Sequence, residues 1–141
     1  MNRFVRFVSL LLVFSILIAV PAYAVDQSQR ASHFFTAYEA YCYKASSTEL
    51  RVYFTVIATG GMDELGASSI KIQRSSDGTN WTTMKTYTKE NYSQMIDTDT
   101  ACHGAYISYT ATSGYYYRAH VSFYAKNSSG TGQLYYYTEK I

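Results

Sequence analysis

Two stretches of alternating residues constrain the fold more than any other feature of this chain. In 50–58, the apolar residues Leu50, Val52, Phe54, Val56 and Ala58 alternate with mixed ones. In Tyr115–Ala125, a similar apolar set recurs at every second position from Tyr117. A period of two places alternate side chains on opposite faces of a strand. Both stretches are therefore predicted to be central β-strands.

Composition extends this prediction to the rest of the chain. Fifteen of the sixteen tyrosines follow residue 24, and no proline follows Pro21. Tyr, Thr, Val, Ile and Phe suit a pleated, half-buried surface, whereas Gly, Asn, Asp and Ser suit turns. The sequence therefore predicts an all-β protein.

Turn signals divide the chain into about seven strands. Ser75–Asn80 contains Asp-Gly, which is typical of tight hairpins. Gly60–Gly66 predicts a turn or bulged connection, and Lys89–Thr100 a surface crossing with a short helical turn. The other expected strands are 34–44, 70–74, 81–88, 105–111 and 133–140. Short strands at this spacing predict an antiparallel β-sandwich of immunoglobulin or fibronectin type III character, with a small barrel as the alternative.

The N-terminus predicts export. Two arginines in 1–6 precede fourteen uncharged residues, and Pro21–Ala24 ends in a small-x-small pattern. This is typical of a signal peptide cleaved after Ala24, and the apolar run is too short for a membrane span. We expect a secreted protein with a signal peptide at 1–24, a flexible leader at 25–32 and one domain at 33–141.

Charge excludes one class of partner. Arg3 and Arg6 leave with the signal, so ten basic residues face ten acidic ones. The rest of the chain has no basic stripe to follow phosphates, and nucleic acid is not expected as a partner. We expect a monomer.

The two cysteines form an even count in an exported chain, which favours a Cys42–Cys102 disulfide. Two free thiols are the alternative. The cysteines flank the clear central strands instead of joining them, which departs from the immunoglobulin pattern.

Tyrosines supply the best candidate binding residues. Alternation must turn at least one tyrosine of each triplet outward, and an exposed tyrosine offers an apolar ring with a polar hydroxyl. The alternative is that these tyrosines form cross-strand ladders that stabilise the sheet. The candidates are Tyr115, Tyr116, Tyr117, Tyr135, Tyr136 and Tyr137.

Catalysis and metal binding are not expected. His103 lies near Asp97 and Asp99 in sequence, which makes a histidine–carboxylate pair conceivable, but no catalytic motif surrounds it. Asp63 and Glu64 form another carboxylate pair, and two carboxylates do not make a calcium site. We predict no enzyme activity, no cofactor and no required metal.

One segment carries a resemblance. The run Ile-Lys-Ile-Gln-Arg-Ser-Ser-Asp-Gly-Thr-Asn-Trp, from Ile70, resembles a hairpin of fibronectin type III-like modules in secreted bacterial proteins. Together with the signal peptide, Gly61–Ala67 and Gly114–Ala119, it makes the chain look like a family of small secreted proteins of clostridial-type Gram-positive bacteria. That resemblance implies an extracellular all-β domain without an assigned activity.

Three hypotheses about function follow. The first is a secreted, non-catalytic domain that recognises a cell-surface polymer, such as a glycan, or a protein. The second is a small toxin or antimicrobial effector acting on a neighbouring cell envelope. The third is a hydrolase that uses His103.

Overall fold

The computed structural model describes residues 33–141, which form one antiparallel sheet of six strands. The strands are β1 (Phe35–Lys44), β2 (Glu49–Ser75), β3 (Thr82–Thr88), β4 (Ile96–Thr110), β5 (Tyr116–Asn127) and β6 (Gly130–Tyr137). A single 3-10 turn, Ser93–Met95, precedes β4 and confirms the short helical turn expected there. The predicted all-β, antiparallel architecture is confirmed, whereas an immunoglobulin-like sandwich stays a prediction.

The 27-residue strand β2 organises the whole sheet. Its first part lies between β1 and β4, and its second part pairs with β5 along one edge and with β4 and then β3 along the other. A straight strand of this length would extend about 90 Å at roughly 3.3 Å per residue, far beyond the width of a small domain. The sheet therefore curls, and β2 belongs to both of its halves.

The bend in β2 corrects the predicted strand list. Between Ile57 and Met62 the register with β4 shifts, because β2 uses five residues where β4 uses two. Gly60–Gly66, expected as a turn or bulged connection, is thus an irregular part of one continuous strand. For the same reason β4 begins at Ile96 instead of Ala105, since its first residues pair with β2 beyond the bend. Six strands result instead of about seven.

The core lies inside the curl and follows the alternation read from the sequence. All five even-numbered residues of 50–58 are buried, and so are Tyr117, Ala119, Val121, Phe123 and Ala125 of β5. Phe54 of β2 meets Phe123 of β5 edge-on, with ring centroids 6.4 Å apart. Tyr38 of β1 also packs on Phe123, at 5.5 Å. Because burying one large apolar side chain contributes about 1.5–3 kcal/mol, this shared core holds the two halves together.

The predicted hairpin between β2 and β3 is confirmed, with six residues, 76–81, between the two strands. The Asp77 carboxylate accepts hydrogen bonds from the backbone N–H groups of Thr79 and Asn80, each at 2.8 Å. These bonds hold the pKa of Asp77 well below its ordinary value. Gly78 adopts φ of 74°, a conformation that glycine reaches without strain.

The expected disulfide is wrong for this structure, since Cys42 and Cys102 are both free thiols. Cys42 on β1 lies opposite Val52, whereas Cys102 on β4 lies opposite Ile57 on the other side of β2. Two strand spacings and five residues of rise separate their backbones by roughly 15 to 20 Å, and a disulfide needs less than about 7 Å. The even number of cysteines favoured a disulfide, but β2 lies between Cys42 and Cys102.

The predicted signal peptide, 1–24, and the flexible leader, 25–32, lie outside the described residues. Within 33–141, no helix is long and apolar enough to cross a membrane.

Candidate functional site

The six candidate tyrosines divide between the two faces of the sheet. Tyr116, Tyr135 and Tyr137 are exposed, by 45%, 61% and 51%. Tyr117 is buried, and its hydroxyl bonds with the backbone of Thr112. The other two are half-buried: Tyr136 packs edge-on against Tyr38, and Tyr115 lies under the guanidinium of Arg74. The structure therefore leaves three of the six available to a large ligand.

Two of these exposed tyrosines belong to a continuous stack of five planar side chains on the outer face of β5 and β6. We call this set the mixed stack: Trp81, Arg118, Tyr137, His120 and Tyr135. The Arg118 guanidinium carbon lies 4.3 Å from the ring centroid of Trp81 and 4.5 Å from that of Tyr137. His120 lies 4.4 Å from Tyr137 and 5.5 Å from Tyr135, in stacked geometry.

Strand pairing explains the mixed stack. His120 and Tyr137 are direct partners across β5 and β6, and Arg118 lies two residues before His120 on the same face. Trp81 comes from the hairpin that precedes β3. Arg118, Tyr137 and His120 each have a neighbour on two sides within the stack. They therefore present their edges to solvent, and Tyr137 also presents its hydroxyl. The sequence predicted the tyrosines but missed Trp81, Arg118 and His120. Alternation places Arg118 and His120 on one face of β5, but strand pairing is needed to place them beside Tyr137.

The mixed stack is positively charged. Arg118 Nε donates a 2.8 Å hydrogen bond to Gln73 Oε1, and Lys71 lies directly across from His120 on β2. None of the ion pairs within 33–141 involves Arg118 or Lys71. Partial burial, together with the charges of Lys71 and Arg118, lowers the pKa of His120. This strip therefore favours negative charge.

A second aromatic surface, which the sequence reasoning did not single out, covers the other half of the sheet. Tyr41, Tyr53 and Tyr106 lie side by side on β1, β2 and β4, and we call them the tyrosine row. Tyr53 stacks on Tyr41 at 5.5 Å and on Tyr106 at 5.1 Å. The signal was present in the odd positions of 50–58, which alternation assigns to the outer face.

Arg51, the cation in contact with the tyrosine row, is paired with a carboxylate. Arg51 lies 5.1 Å from the Tyr106 ring, and its Nε donates a 2.8 Å hydrogen bond to Glu49. This pair raises the pKa of Arg51 and lowers that of Glu49. Tyr53 and Tyr106 also border an open groove of about 630 Å³ between β3 and β4. Tyr87 lines this groove, and its hydroxyl donates a 2.7 Å hydrogen bond to the Ser108 carbonyl oxygen.

The histidine–carboxylate pair considered for catalysis has the wrong hydrogen bonding. His103 Nε2 lies 2.9 Å from the Gln94 carbonyl oxygen, and Nδ1 lies 3.9 Å from Asp97. A carbonyl only accepts, so Nε2 carries a proton and cannot act as a base from that side. In a catalytic triad the carboxylate holds Nδ1–H and leaves Nε2 for the nucleophile. Here Nε2 is already bonded to the Gln94 carbonyl oxygen, and His103 anchors the turn before β4.

The carboxylates considered as metal ligands do not converge. Glu64 accepts from Lys89 at 2.6 Å and from Lys126 at 3.3 Å, so both its oxygens are engaged by lysines. Across 33–141, no group of three or more His, Cys, Asp or Glu side chains is arranged to hold a metal ion.

Comparisons with known proteins add no relative: no family model matches the chain, and neither the curated proteins nor the solved structures contain a match. The resemblance to small secreted clostridial-type proteins therefore stays a prediction, and function has to be argued from the two surfaces.

Proposed function

We propose that this protein is a secreted, non-catalytic recognition domain that binds a cell-surface polymer through the mixed stack. The observation that carries the proposal is the continuous stack itself, in which five planar side chains from three chain segments are in contact. The N-terminal signal-like segment supports an extracellular setting.

An extended ligand suits this surface. Tyr135 is exposed at one end of the strip and Tyr137 in its middle, so sugar rings can pack on the outer face of Tyr135 and hydrogen-bond to the hydroxyls along the edge. The rigid stack has little side-chain freedom to lose on binding, which reduces the entropic cost of association. A repeating polymer can occupy several of these groups at once, and each repeat adds affinity.

The test is a binding assay of the purified protein against an array of glycans and insoluble cell-wall polysaccharides, with Tyr137→Ala and Tyr135→Ala variants. We expect each variant to lose about ten-fold in affinity, since one aromatic contact contributes about 1 kcal/mol or somewhat more. Tyr106→Ala, an exposed tyrosine of the tyrosine row, is the matched control and should bind like the parent protein.

Two results would count against the proposal. Binding lost in Tyr106→Ala but kept in Tyr137→Ala would transfer the site to the tyrosine row and its groove. No binding to any polysaccharide would remove polymer recognition and leave a protein partner as the remaining ligand class.

A further inference from the structure

The mixed stack contains a preorganised cation. The guanidinium carbon of Arg118 lies 4.3 Å from the ring centroid of Trp81 and 4.5 Å from that of Tyr137, and its Nε donates a hydrogen bond to Gln73. Its two terminal nitrogens make no hydrogen bond to any described residue. A guanidinium fixed in this way can approach a ligand only along its edge. That edge is the fork that pairs with a carboxylate through two parallel hydrogen bonds.

Lys71 extends the positive charge, and His120, whose lowered pKa leaves its imidazole mostly uncharged at neutral pH, lies beside it. Lys71 is exposed and lies across from His120 on the neighbouring strand, where directly opposed side chains are about 5 Å apart at Cβ. His120 and Arg118 are two residues apart on β5, or roughly 7 Å. Arg118, Lys71 and His120 therefore form one cluster on an outward face.

The missing partner is the informative feature of this cluster. Elsewhere in 33–141, Arg51 pairs with Glu49, and both Lys89 and Lys126 pair with Glu64, whereas Arg74, Lys85 and Lys140 lie over aromatic rings without a carboxylate partner. At the mixed stack, no carboxylate of the described residues pairs with Arg118 or Lys71. A solvent-facing cation cluster that the protein itself does not neutralise is complementary to an acidic ligand.

We propose that the mixed stack binds an acidic polysaccharide, with a sugar carboxylate held by the edge of Arg118 and a neighbouring carboxylate attracted by Lys71. This inference rests on the proposed function and names its ligand class. A carboxylate is planar and extends the guanidinium plane between the two rings, whereas the tetrahedral oxygens of phosphate or sulfate project towards Trp81 and Tyr137. The sugar ring that carries the carboxylate meets the tyrosine hydroxyls.

The experiment is titration calorimetry of the purified protein with three probes. They are a polygalacturonate oligosaccharide, its fully methyl-esterified form and a poly(glycerol phosphate) of similar length. We expect the free acid to bind at least ten-fold more tightly than the ester. Its affinity should fall by about ten-fold between 50 and 200 mM salt, as neutralising two charges on a polyelectrolyte predicts.

Variants locate the effect. Lys71→Gln, at an exposed position, should weaken binding of the acid by about three- to ten-fold. Arg118→Lys keeps the charge but loses the fork, and should weaken it by ten-fold or more. Lys44→Gln, an exposed lysine on β1 in the other half of the sheet, is the matched control and should have no effect. If Arg118→Lys does not fold, the comparison of Lys71→Gln with Lys44→Gln in affinity for the free acid decides whether the site is correct.

Each adverse result has one meaning. Equal binding of ester and acid, lost in Tyr137→Ala, would overturn the anionic specificity while leaving polymer recognition intact. Equal binding of the phosphate polymer would overturn the carboxylate assignment. Equal effects of Lys71→Gln and Lys44→Gln would show non-specific attraction and overturn the site. Absence of binding by all three probes would overturn acidic-polysaccharide recognition, and the glycan array then decides separately on polymer recognition.

Discussion

The two aromatic surfaces are built from the same residue types on the same sheet, yet they differ in charge. In the tyrosine row, three tyrosines stack on one another, and the nearby Arg51 is paired with Glu49. In the mixed stack, Arg118 and His120 are interleaved with aromatic rings, and no described carboxylate pairs with Arg118.

This difference teaches that exposed tyrosine alone does not identify a binding surface. A ladder of cross-strand tyrosines stabilises a sheet by about 0.2–1 kcal/mol per pair, whatever else it does. Arg118, interleaved with the rings of the mixed stack, adds attraction for one class of ligand. This is why we propose recognition for the mixed stack and sheet stabilisation for the tyrosine row.

The two free thiols give the largest expected contrast. Cys102 is exposed on the same outer face as the tyrosine row, whereas Cys42 is buried, and burial raises the pKa of its thiol. A thiol reagent should label Cys102 in the native protein at least about a thousand-fold faster than Cys42, which reacts only when the structure opens. Mass spectrometry of the labelled protein counts the sites. Two labels after unfolding and none before would contradict the free Cys102 described above.

The shared core predicts that both surfaces are lost together. Phe123 contacts Phe54 and Tyr38 from the other half of the sheet, so Phe123→Ala should destabilise the protein by about 3–5 kcal/mol. Urea unfolding should give one transition, followed in parallel by the fluorescence of Trp81 in the mixed stack and of a dye on Cys102. Separate midpoints for the two reporters would mean that the halves are independent and that the comparison concerns two domains.

A smaller effect concerns pH at the mixed stack. The pKa of His120 is lowered from its ordinary 6.5 by burial and by Lys71 and Arg118, while Tyr135 and Tyr137 flank its ring. The unfolded chain therefore binds this proton more readily, so the contribution of His120 to stability is present above pH 6.5 and is lost as the pH falls below it. We expect His120→Gln to reduce the fall in the free energy of unfolding between pH 7 and 5. An unchanged pH profile would show that His120 is not perturbed.

The smallest expected effect concerns the Arg51–Glu49 ion pair beside the tyrosine row. Glu49→Gln removes the partner of Arg51 and leaves a positive charge beside Tyr106. Because exposed charges are strongly screened, the gain in affinity for polygalacturonate should be about two-fold at low salt and absent at 150 mM. A large gain would mean that Glu49 is what distinguishes the two surfaces.

Much of the local structure could be predicted from the sequence because strand faces follow a period of two. The buried set of 50–58, the Asp77–Gly78 hairpin and the core face of β5 all followed from neighbouring residues. The course of β2 did not, since two glycines in sequence predict a turn as readily as a bend within a strand. Strand pairing decides between them, and the partner residues of β4 are about forty positions away.

The candidate site was only partly predictable for the same reason. Alternation shows that Tyr135 and Tyr137 share a face, but it does not show which strand lies beside them. Trp81, Arg118 and Tyr137 come from three separate segments, and only the pairing of β2, β5 and β6 brings them together. The predicted disulfide was wrong for the same reason. The number of cysteines can be read from the sequence, but the position of β2 between them cannot.

The length of β2 also has a kinetic consequence. Its first residues pair with the end of β4, as Glu49 does with Thr110, and its last pair with the start of β5, as Ser75 does with Tyr116. Until those later segments arrive, a long apolar strand has an open edge, and pairings of such sequence separation form slowly. We therefore expect refolding on the millisecond-to-second scale, with yields that fall as protein concentration rises.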